Sequence, residues 1–207
     1  MKPNQKQFGS LPLQERYLLS LLASITDADA REKILSALYF SKEAHEKQFR
    51  DEGAPYVIHP IRAACTLLEL GIASGEIIAA MLLHDVVEDT GISIDEIKER
   101  FGKRTAQLVQ GVTRPRPIHE TEAAKKEAKR QKFSEYLRAD RETRLIKCAD
   151  MLDNIRSMSV IPRAHPSRKK FARWYAETEQ YSIPIAEKTD QTLARLMREA
   201  FASAKKA

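Results

Sequence analysis

The chain has 207 residues, of which 43% are hydrophobic and 31% are charged, and its formal net charge is +6 at pH 7. This composition excludes a disordered chain and predicts one globular domain that covers all 207 residues. The apolar runs at 17–25 and 77–87 are too short to span a bilayer, and no apolar segment follows the basic first residues, so we expect a cytoplasmic protein without membrane contact.

Helices are predicted throughout the chain, and we expect an all-α fold. Only seven glycines and nine prolines interrupt the sequence, and no long stretch alternates between apolar and polar residues. The first helices are predicted at 13–24 and 28–48. The next helix has Pro60 in its first turn, which puts His59 at its mouth, and Gly71 ends it.

A helix predicted from Ser74 to Thr90 is the central feature of the sequence. Apolar residues at 77–87 lie on all its sides, which is typical of a helix that is buried all round. His84 and Asp85 interrupt this apolar surface. A carboxylate buried there has to be neutralised, paired or bound to a metal, whereas a lone histidine is commonly satisfied within a core.

Two further carboxylates follow one helical turn later. Glu88 is predicted to lie over His84, and Asp89 over Asp85, because residues four apart share a helix face. Carboxylates are mildly unfavourable near the negative end of a helix dipole. Their presence at this end therefore favours a functional role over simple solvation.

The second half of the chain is predicted to contain helices at 93–101, 103–112, 120–138, 141–159 and 167–181, and one from 183 to the C-terminus. The helix at 120–138 carries a basic cluster: Lys125, Lys126, Lys129, Arg130 and Lys132. Either this cluster is a solvated helix face, or it forms a basic rim that attracts an anionic substrate. On the helix at 141–159, Lys147, Asp150 and Asn154 form one polar line.

Four residues form a candidate metal site if the fold brings them together: His59, His84, Asp85 and Asp150. Two imidazoles and two carboxylates suit Mn²⁺, Fe²⁺ or Zn²⁺ better than the all-oxygen or all-thiolate sets that other ions prefer. Such a cation activates water and polarises a phosphoryl oxygen. The two cysteines, Cys65 and Cys148, are far apart and are expected to be ordinary buried thiols.

The order His59, His84-Asp85, Asp150 is similar to the H…HD…D pattern of the HD-domain phosphohydrolases. Between about residues 30 and 190, the chain closely resembles the hydrolase domain of RelA/SpoT-type alarmone enzymes, in a stand-alone small form. The motifs that carry this resemblance are His45-x-x-Gln-x-Arg50, Gly53-x-Pro-Tyr56-x-x-His59-Pro60, Leu82-Leu-His-Asp-Val-Val-Glu-Asp-Thr90, Phe101-Gly102, Gly111-Val-Thr113, Lys147-x-Ala-Asp150-x-Leu-x-Asn154 and Glu177-Thr-Glu-Gln-Tyr-Ser-Ile-Pro-Ile-Ala186.

The resemblance implies a function and a role for each matching residue. It implies a helical 3′-pyrophosphohydrolase of (p)ppGpp or (p)ppApp, with the four candidate ligands binding one metal, usually manganese. It makes Glu88 and Asp89 the pair that orients or deprotonates the attacking water. Residues that match substrate-binding positions are Arg50, Asp51, Lys147, Asn154 and Ser157. Lys147 either approaches phosphate or forms a solvent-facing salt bridge, and Arg168, Lys169, Lys170 and Arg173 are further phosphate candidates.

The chain departs from the family pattern at two places. Asp51 stands where the family commonly has a base-stacking Lys, and Ala149-Asp-Met-Leu-Asp-Asn154 replaces Ala-Asp-Arg-Leu-His-Asn. Both changes leave the candidate metal ligands intact, but they make an adenosine alarmone a credible substrate beside a guanosine one. Other hypotheses are a different HD phosphohydrolase, or a catalytically silent helical module that binds nucleotide or protein. Nucleic acid is not expected as a partner, because no nucleic-acid-binding motif accompanies the charge.

Overall fold

A computed structural model describes residues 7–51, 53–113 and 121–207, without the side chains of residues 122, 123, 125 and 126. Within these ranges the fold is all-α, as predicted, and the extended pairing consists of one isolated bridge between Phe49 and Pro55. The α-helices are α1 (Leu11–Leu22), α2 (Ala28–Ala44), α3 (Ile58–Glu69), α4 (Gly75–Leu83), α5 (Val86–Asp89), α6 (Ile94–Phe101), α7 (Lys103–Val112), α8 (Glu122–Arg138), α9 (Arg141–Met158), α10 (Phe171–Glu177), α11 (Ile183–Thr189) and α12 (Gln191–Lys206).

Helix α4 lies at the centre of the core, in contact with α2, α3, α7 and α9. Every residue of α4 except Glu76 is buried, because the sequence from Ile77 to Leu83 is apolar on all sides. Gly75 lets α2 approach closely, since a Cβ at this position would lie 2.9 Å from the Cα of Ala30. The predicted all-round burial of this segment is therefore confirmed, and it fixes the end of α4 inside the protein.

The structure corrects one prediction for this region: the helix expected from Ser74 to Thr90 is broken at His84 and Asp85. The backbone of both residues stays in the right-handed helical region, with φ −60° and −97°, but the regular helix stops at Leu83 and resumes at Val86. His84 Nδ1 instead bonds the main-chain oxygen of Met81 at 2.8 Å. The break places both side chains at a turn between α4 and α5.

The C-terminal third also differs from the prediction. Residues 166–189 form consecutive helical segments: a 3₁₀ helix (Pro166–Lys170), α10, a π-helical segment (Thr178–Ser182) and α11. The helix expected from 183 to the C-terminus is interrupted at Asp190, which is extended and caps α12 by accepting from the main-chain N–H groups of Thr192 and Leu193. Helices α11 and α12 pack against α9 and support the helix that carries Asp150.

Both cysteines, Cys65 and Cys148, are buried free thiols, as expected. Each described helix is too short or too polar to cross a lipid bilayer.

Candidate metal centre

The four candidate ligands come from three elements that meet in the core. His59 lies in the first turn of α3, His84 and Asp85 form the turn between α4 and α5, and Asp150 lies in the middle of α9. His59, His84 and Asp150 are each at most 5% exposed. Burial of this many polar groups costs free energy unless they bind one another or a cation.

The donor atoms of these residues converge. His59 Nε2 lies 3.2 Å from His84 Nε2 and 3.2 Å from Asp150 Oδ1. Asp85 Oδ2 lies 3.1 Å from His84 Nε2 and 3.8 Å from His59 Nε2. Donors about 2.1 Å from one cation would be about 3.0 to 3.4 Å apart at right or tetrahedral angles. His59, His84 and Asp150 thus form a cluster that is compatible with a divalent metal, and Asp85 adjoins it.

Hydrogen bonds on the far side of each imidazole orient its Nε2 atom toward this cluster. His59 Nδ1 bonds Asp153 Oδ2 at 2.7 Å, and His84 Nδ1 bonds the Met81 carbonyl at 2.8 Å. Both partners are acceptors, so each Nδ1 carries a proton and each Nε2 points into the cluster. Two imidazole nitrogens that face each other at 3.2 Å need a proton or a cation between them.

The electrostatics of the cluster favour a cation. Burial alone would lower the pKa of His84, but the carboxylates of Asp85 and Asp150 outweigh it and raise the pKa to about 10. Although burial opposes ionisation, the imidazole of His84 holds the pKa of Asp85 below its usual range. The residues therefore fit a divalent ion both in donor chemistry and in charge.

The Glu88–Asp89 pair lies beside this cluster on α5. Both side chains are half-buried and line the same cavity as Asp85. The hydroxyl of Tyr56 lies 2.7 Å from Asp85 Oδ2 and 2.9 Å from Asp89 Oδ2, and so connects the two acidic groups. Despite the break in the helix, the main-chain N–H of Asp89 donates to the carbonyl of Asp85 at 2.8 Å, which keeps the two residues one turn apart.

The predicted polar line on α9 is present around Asp150. Lys147 Nζ forms an ion pair with Asp150 Oδ2 at 2.6 Å, and Asn154 Nδ2 donates to Asp150 Oδ1 at 2.6 Å. Lys147 is only 9% exposed and lines the cavity, so the solvent-facing salt bridge considered for it is wrong. Its ammonium group also lies 5.3 Å from the ring centroid of Tyr136.

A cavity of about 470 Å³ opens onto the cluster. Its wall follows α9 from Asp150 past Asn154 to Met158, which is about 12 Å along the helix axis. Apolar side chains contribute to this wall: Phe49, Met151, Ile155, Met158, Ile161 and Trp174. A volume of this size with an apolar wall is typical of a small-molecule site, and the many charged side chains that also line this cavity suit a polar, charged ligand.

The residues matched to substrate-binding positions adjoin this wall. Arg50 donates to Asn154 Oδ1 at 3.1 Å and to Ser157 Oγ at 3.3 Å, so these three side chains form one group. Asp51 lines the cavity and is exposed. The loop that carries Arg50 and Asp51 is held by hydrogen bonds from the Arg50 N–H to the Ala54 carbonyl and from the Gly53 N–H to the Arg50 carbonyl.

The basic residues divide between the cavity and the surface. Lys129 and Lys132 line the cavity, whereas Arg130 is exposed and pairs with Glu127. The side chains of Lys125 and Lys126 lie outside the described residues. The C-terminal candidates Arg168, Lys169, Lys170 and Arg173 are not part of the cavity lining. Arg168 instead anchors the preceding loop by donating to the carbonyl of Ile161 at 2.8 Å.

Sequence reasoning missed three residues near the cluster: Tyr56, Arg62 and Asp153. Tyr56 belongs to a quoted motif, but nothing in its spacing from Asp85 predicts contact. Asp153 lies on the buried face of α9, and an acidic residue within an apolar stripe is a signal that a cationic partner is near. That this partner is Arg62 depends on the packing of α3 against α9.

Comparisons with known proteins agree with this geometry. The HD domain family matches residues 37–196 of the chain. A guanosine-3′,5′-bis(diphosphate) 3′-pyrophosphohydrolase of Aquifex aeolicus is 42% identical over 156 residues, which are 75% of this chain and 21% of the relative. The bifunctional (p)ppGpp synthase/hydrolase SpoT of Escherichia coli is 33% identical over 172 residues, which are 82% of this chain and 23% of the relative. The chain thus spans about a fifth to a quarter of the length of these relatives.

A solved structure is similar over most of its length. It is of a metazoan ortholog of SpoT that hydrolyses ppGpp, and it shares 26% sequence identity with this chain. The superposition has a TM-score of 0.74 and covers 86% of this chain and 97% of the other. From the match over residues 37–196 and the clustered histidines and aspartates, the chain belongs to the HD domain family and is similar to its RelA/SpoT-type hydrolases.

Proposed function

We propose that this chain is a metal-dependent 3′-pyrophosphohydrolase of alarmone nucleotides, (p)ppGpp or (p)ppApp. The reaction releases pyrophosphate and leaves the phosphate groups on the 5′ side of the nucleoside intact. The observation that carries the proposal is the convergence of His59, His84, Asp85 and Asp150 at a cavity that basic side chains also line. Relatives named for this activity support the substrate class.

The four converging residues are the proposed ligands of one divalent cation, with manganese as the expected ion. When bound, the cation supplies Lewis-acid polarisation of a phosphoryl oxygen and lowers the pKa of water. Asp85 belongs in this set because its Oδ2 lies within 3.8 Å of both imidazole nitrogens. Six-coordinate ions would keep positions for water and substrate beside four protein donors.

Glu88 and Asp89 are the proposed proton acceptors for the attacking water. Both carboxylates line the cavity next to Asp85, so a water at the cluster is within their reach. Tyr56 supports this role, because its hydroxyl holds Asp89 Oδ2 at 2.9 Å and limits the positions that the carboxylate adopts. The attack forms a bond from the water oxygen to the 3′-linked phosphorus and breaks the bond from that phosphorus to the ribose oxygen, which takes up the proton that the carboxylates accepted from the water.

Positive side chains in the cavity are the proposed binding groups for the phosphates. Lys129, Lys132 and Lys147 all line it, and their positive charges can stabilise the negative charge on the phosphoryl oxygens of the pyrophosphate group in the transition state. Lys147 directly contacts a proposed metal ligand, since it pairs with Asp150 at 2.6 Å. Glu177 partly neutralises the positive charge of Lys129 by forming an ion pair with it at 2.5 Å.

The base is proposed to bind along the apolar wall, near Arg50 and Asn154. Ser157, which accepts a hydrogen bond from Arg50, lies about 10 Å along α9 from Asp150, a span suited to a nucleoside. A planar guanidinium stacks on a purine, and the Asn154 amide can hydrogen-bond ribose or a base edge. Asp51 lines the cavity, and its carboxylate can accept a hydrogen bond from the exocyclic amino group of a purine. Both adenine and guanine carry such a group.

The experiment that tests this function is product analysis with ppGpp and ppApp supplied in parallel. We expect the manganese-loaded protein to release pyrophosphate from at least one of them, and chelation of the metal to stop the release. His84→Ala should abolish turnover, whereas the matched control His165→Ala, a histidine outside the cavity lining, should retain it. Orthophosphate as the first product would instead indicate a different HD phosphohydrolase, and metal-loaded protein without any turnover would indicate a silent module.

A further inference from the structure

A buried ion pair lies directly behind His59, outside the cavity lining. Arg62 of α3 donates from Nε to Asp153 Oδ1 at 2.8 Å and from its terminal nitrogen to Asp153 Oδ2 at 2.9 Å. Both residues are at most 5% exposed. The bidentate geometry fixes the plane of the carboxylate and leaves Oδ2 available to a second donor.

The second donor is His59. Its Nδ1 lies 2.7 Å from Asp153 Oδ2, while its Nε2 faces the metal cluster. A carboxylate on the outer nitrogen of a metal-binding histidine fixes the tautomer, orients the ring and makes the inner nitrogen a stronger donor. Asp153 thus has the position from which a carboxylate tunes a histidine ligand.

The pair gives the buried carboxylate of Asp153 a cationic partner. Two N–H groups of Arg62 and the Nδ1–H of His59 all donate to its oxygens. Phe8 covers the other face of the pair, because the guanidinium lies 3.7 Å from its ring centroid and donates to its carbonyl at 3.1 Å. Solvent therefore competes little for either charge.

Stability alone is a poor explanation for this pair. Removing two charges from water costs several kcal/mol per ion, and a buried pair often contributes no more than apolar residues of the same volume. An oriented anion against Nδ1, by contrast, is something that apolar packing cannot supply. The pair also reaches the cavity wall, since Arg62 donates to Ser157 Oγ at 3.1 Å and Arg50 donates to the same oxygen at 3.3 Å.

We propose that Asp153 is a positioning residue that holds His59 as an Nδ1-protonated metal ligand, and that Arg62 aims Asp153 at it. This inference rests on the metal ligands of the proposed function and adds a residue pair to them. It predicts that the charge on Asp153 raises the affinity of the site for metal.

The test compares Mn²⁺ affinity in two variants, measured by the loss of the free-ion EPR signal. Asp153→Asn keeps the shape of the side chain but removes its charge. The double variant Asp153→Asn with Arg62→Gln also removes the charge that would otherwise be left unpaired in the core, so it stays testable where the single variant fails to fold. The control pair is Glu179→Gln with Lys205→Gln, which removes an exposed ion pair of 2.7 Å. Thermal unfolding of the metal-free proteins monitors stability separately.

We expect both Asp153 variants to bind Mn²⁺ about 10- to 100-fold more weakly than the wild type, while the control pair leaves the affinity unchanged. If the double variant binds Mn²⁺ within about twofold of the wild-type affinity, Arg62 and Asp153 only compensate each other's buried charge, and the inference is overturned.

A wild-type measurement covers the case in which neither variant folds. In ¹⁵N NMR spectra of the protein loaded with diamagnetic Zn²⁺, His59 should carry its proton on Nδ1, and a proton on Nε2 would overturn the inference. Wild-type protein that shows this tautomer with Zn²⁺ and binds Mn²⁺, but hydrolyses no alarmone, contradicts the proposed function and leaves the role of Asp153 unaffected.

Discussion

The Tyr56 hydroxyl connects the metal cluster to the proposed proton acceptor, and its removal tests that connection. In Tyr56→Phe, the ring keeps its place against His45, whose centroid lies 4.8 Å away. What is lost is the donor that lies 2.7 Å from Asp85 Oδ2 and 2.9 Å from Asp89 Oδ2. One hydroxyl has one proton, so the variant loses one hydrogen bond to a charged acceptor.

The magnitude follows from this count. A hydrogen bond to a charged group contributes about 1.5–3 kcal/mol, which corresponds to a decrease of about 10- to 150-fold in kcat/KM if it holds the reactive geometry. The affinity for Mn²⁺ shows which carboxylate depends on the hydroxyl. A decrease in kcat at unchanged metal affinity points to Asp89, whereas weaker metal binding points to Asp85.

The assay is steady-state pyrophosphate release from ppGpp at saturating Mn²⁺, with a parallel metal titration. Tyr17→Phe is the matched control, because the Tyr17 hydroxyl donates to Glu69 at 2.8 Å on an exposed surface outside the cavity lining. Tyr56→Phe protein that stays within about threefold of the wild type in both kcat/KM and metal affinity would refute the reasoning.

Four further predictions concern the same site. Glu88→Gln should lower kcat by about 10²- to 10⁴-fold with metal affinity unchanged, because only a proton acceptor is removed; equal losses in metal binding would make Glu88 a ligand instead. Since the pKa of His84 is raised to about 10, metal must displace a proton, and the dissociation constant for Mn²⁺ should decrease roughly tenfold per pH unit between about pH 6 and 8. The folded protein stabilises the protonated form of His84, so the metal-free protein should lose stability as the pH rises from about 6.5 through 10 and this proton is lost. Denaturant unfolding at a series of pH values measures this loss. Asp51→Lys should raise kcat/KM for ppGpp relative to ppApp, and an unchanged ratio would exclude Asp51 as a selector of the base.

The sequence alone predicted the fold class and the helices that bring the metal cluster together. The small number of glycines and prolines and the lack of long apolar/polar alternation predicted the all-α fold, and the apolar run at 77–87 predicted a helix buried on all sides. The i, i+3, i+7 spacing predicted that Lys147, Asp150 and Asn154 share a face, and the structure joins them by direct bonds. These features depend on local periodicity, which one sequence contains.

Features that depend on side-chain competition or helix packing were not predictable. The helix breaks at His84 without a Gly or Pro that would mark the break in the sequence. The break is instead accompanied by a hydrogen bond from the His84 side chain to the Met81 carbonyl, within an apolar run. The Arg62–Asp153 pair joins residues 91 positions apart, and only the packing of α3 on α9 selects this partner. Tyr56 reaches Asp85 through a loop whose path no periodicity encodes.

The most direct test of the proposed site is a crystal structure of the protein soaked in Mn²⁺, with anomalous scattering used to locate the ion. We expect one strong peak within about 2.0–2.3 Å of the Nε2 atoms of His59 and His84 and of carboxylate oxygens of Asp85 and Asp150. A peak elsewhere, or a bound ion that leaves out any of these four residues, would contradict the proposed ligand set.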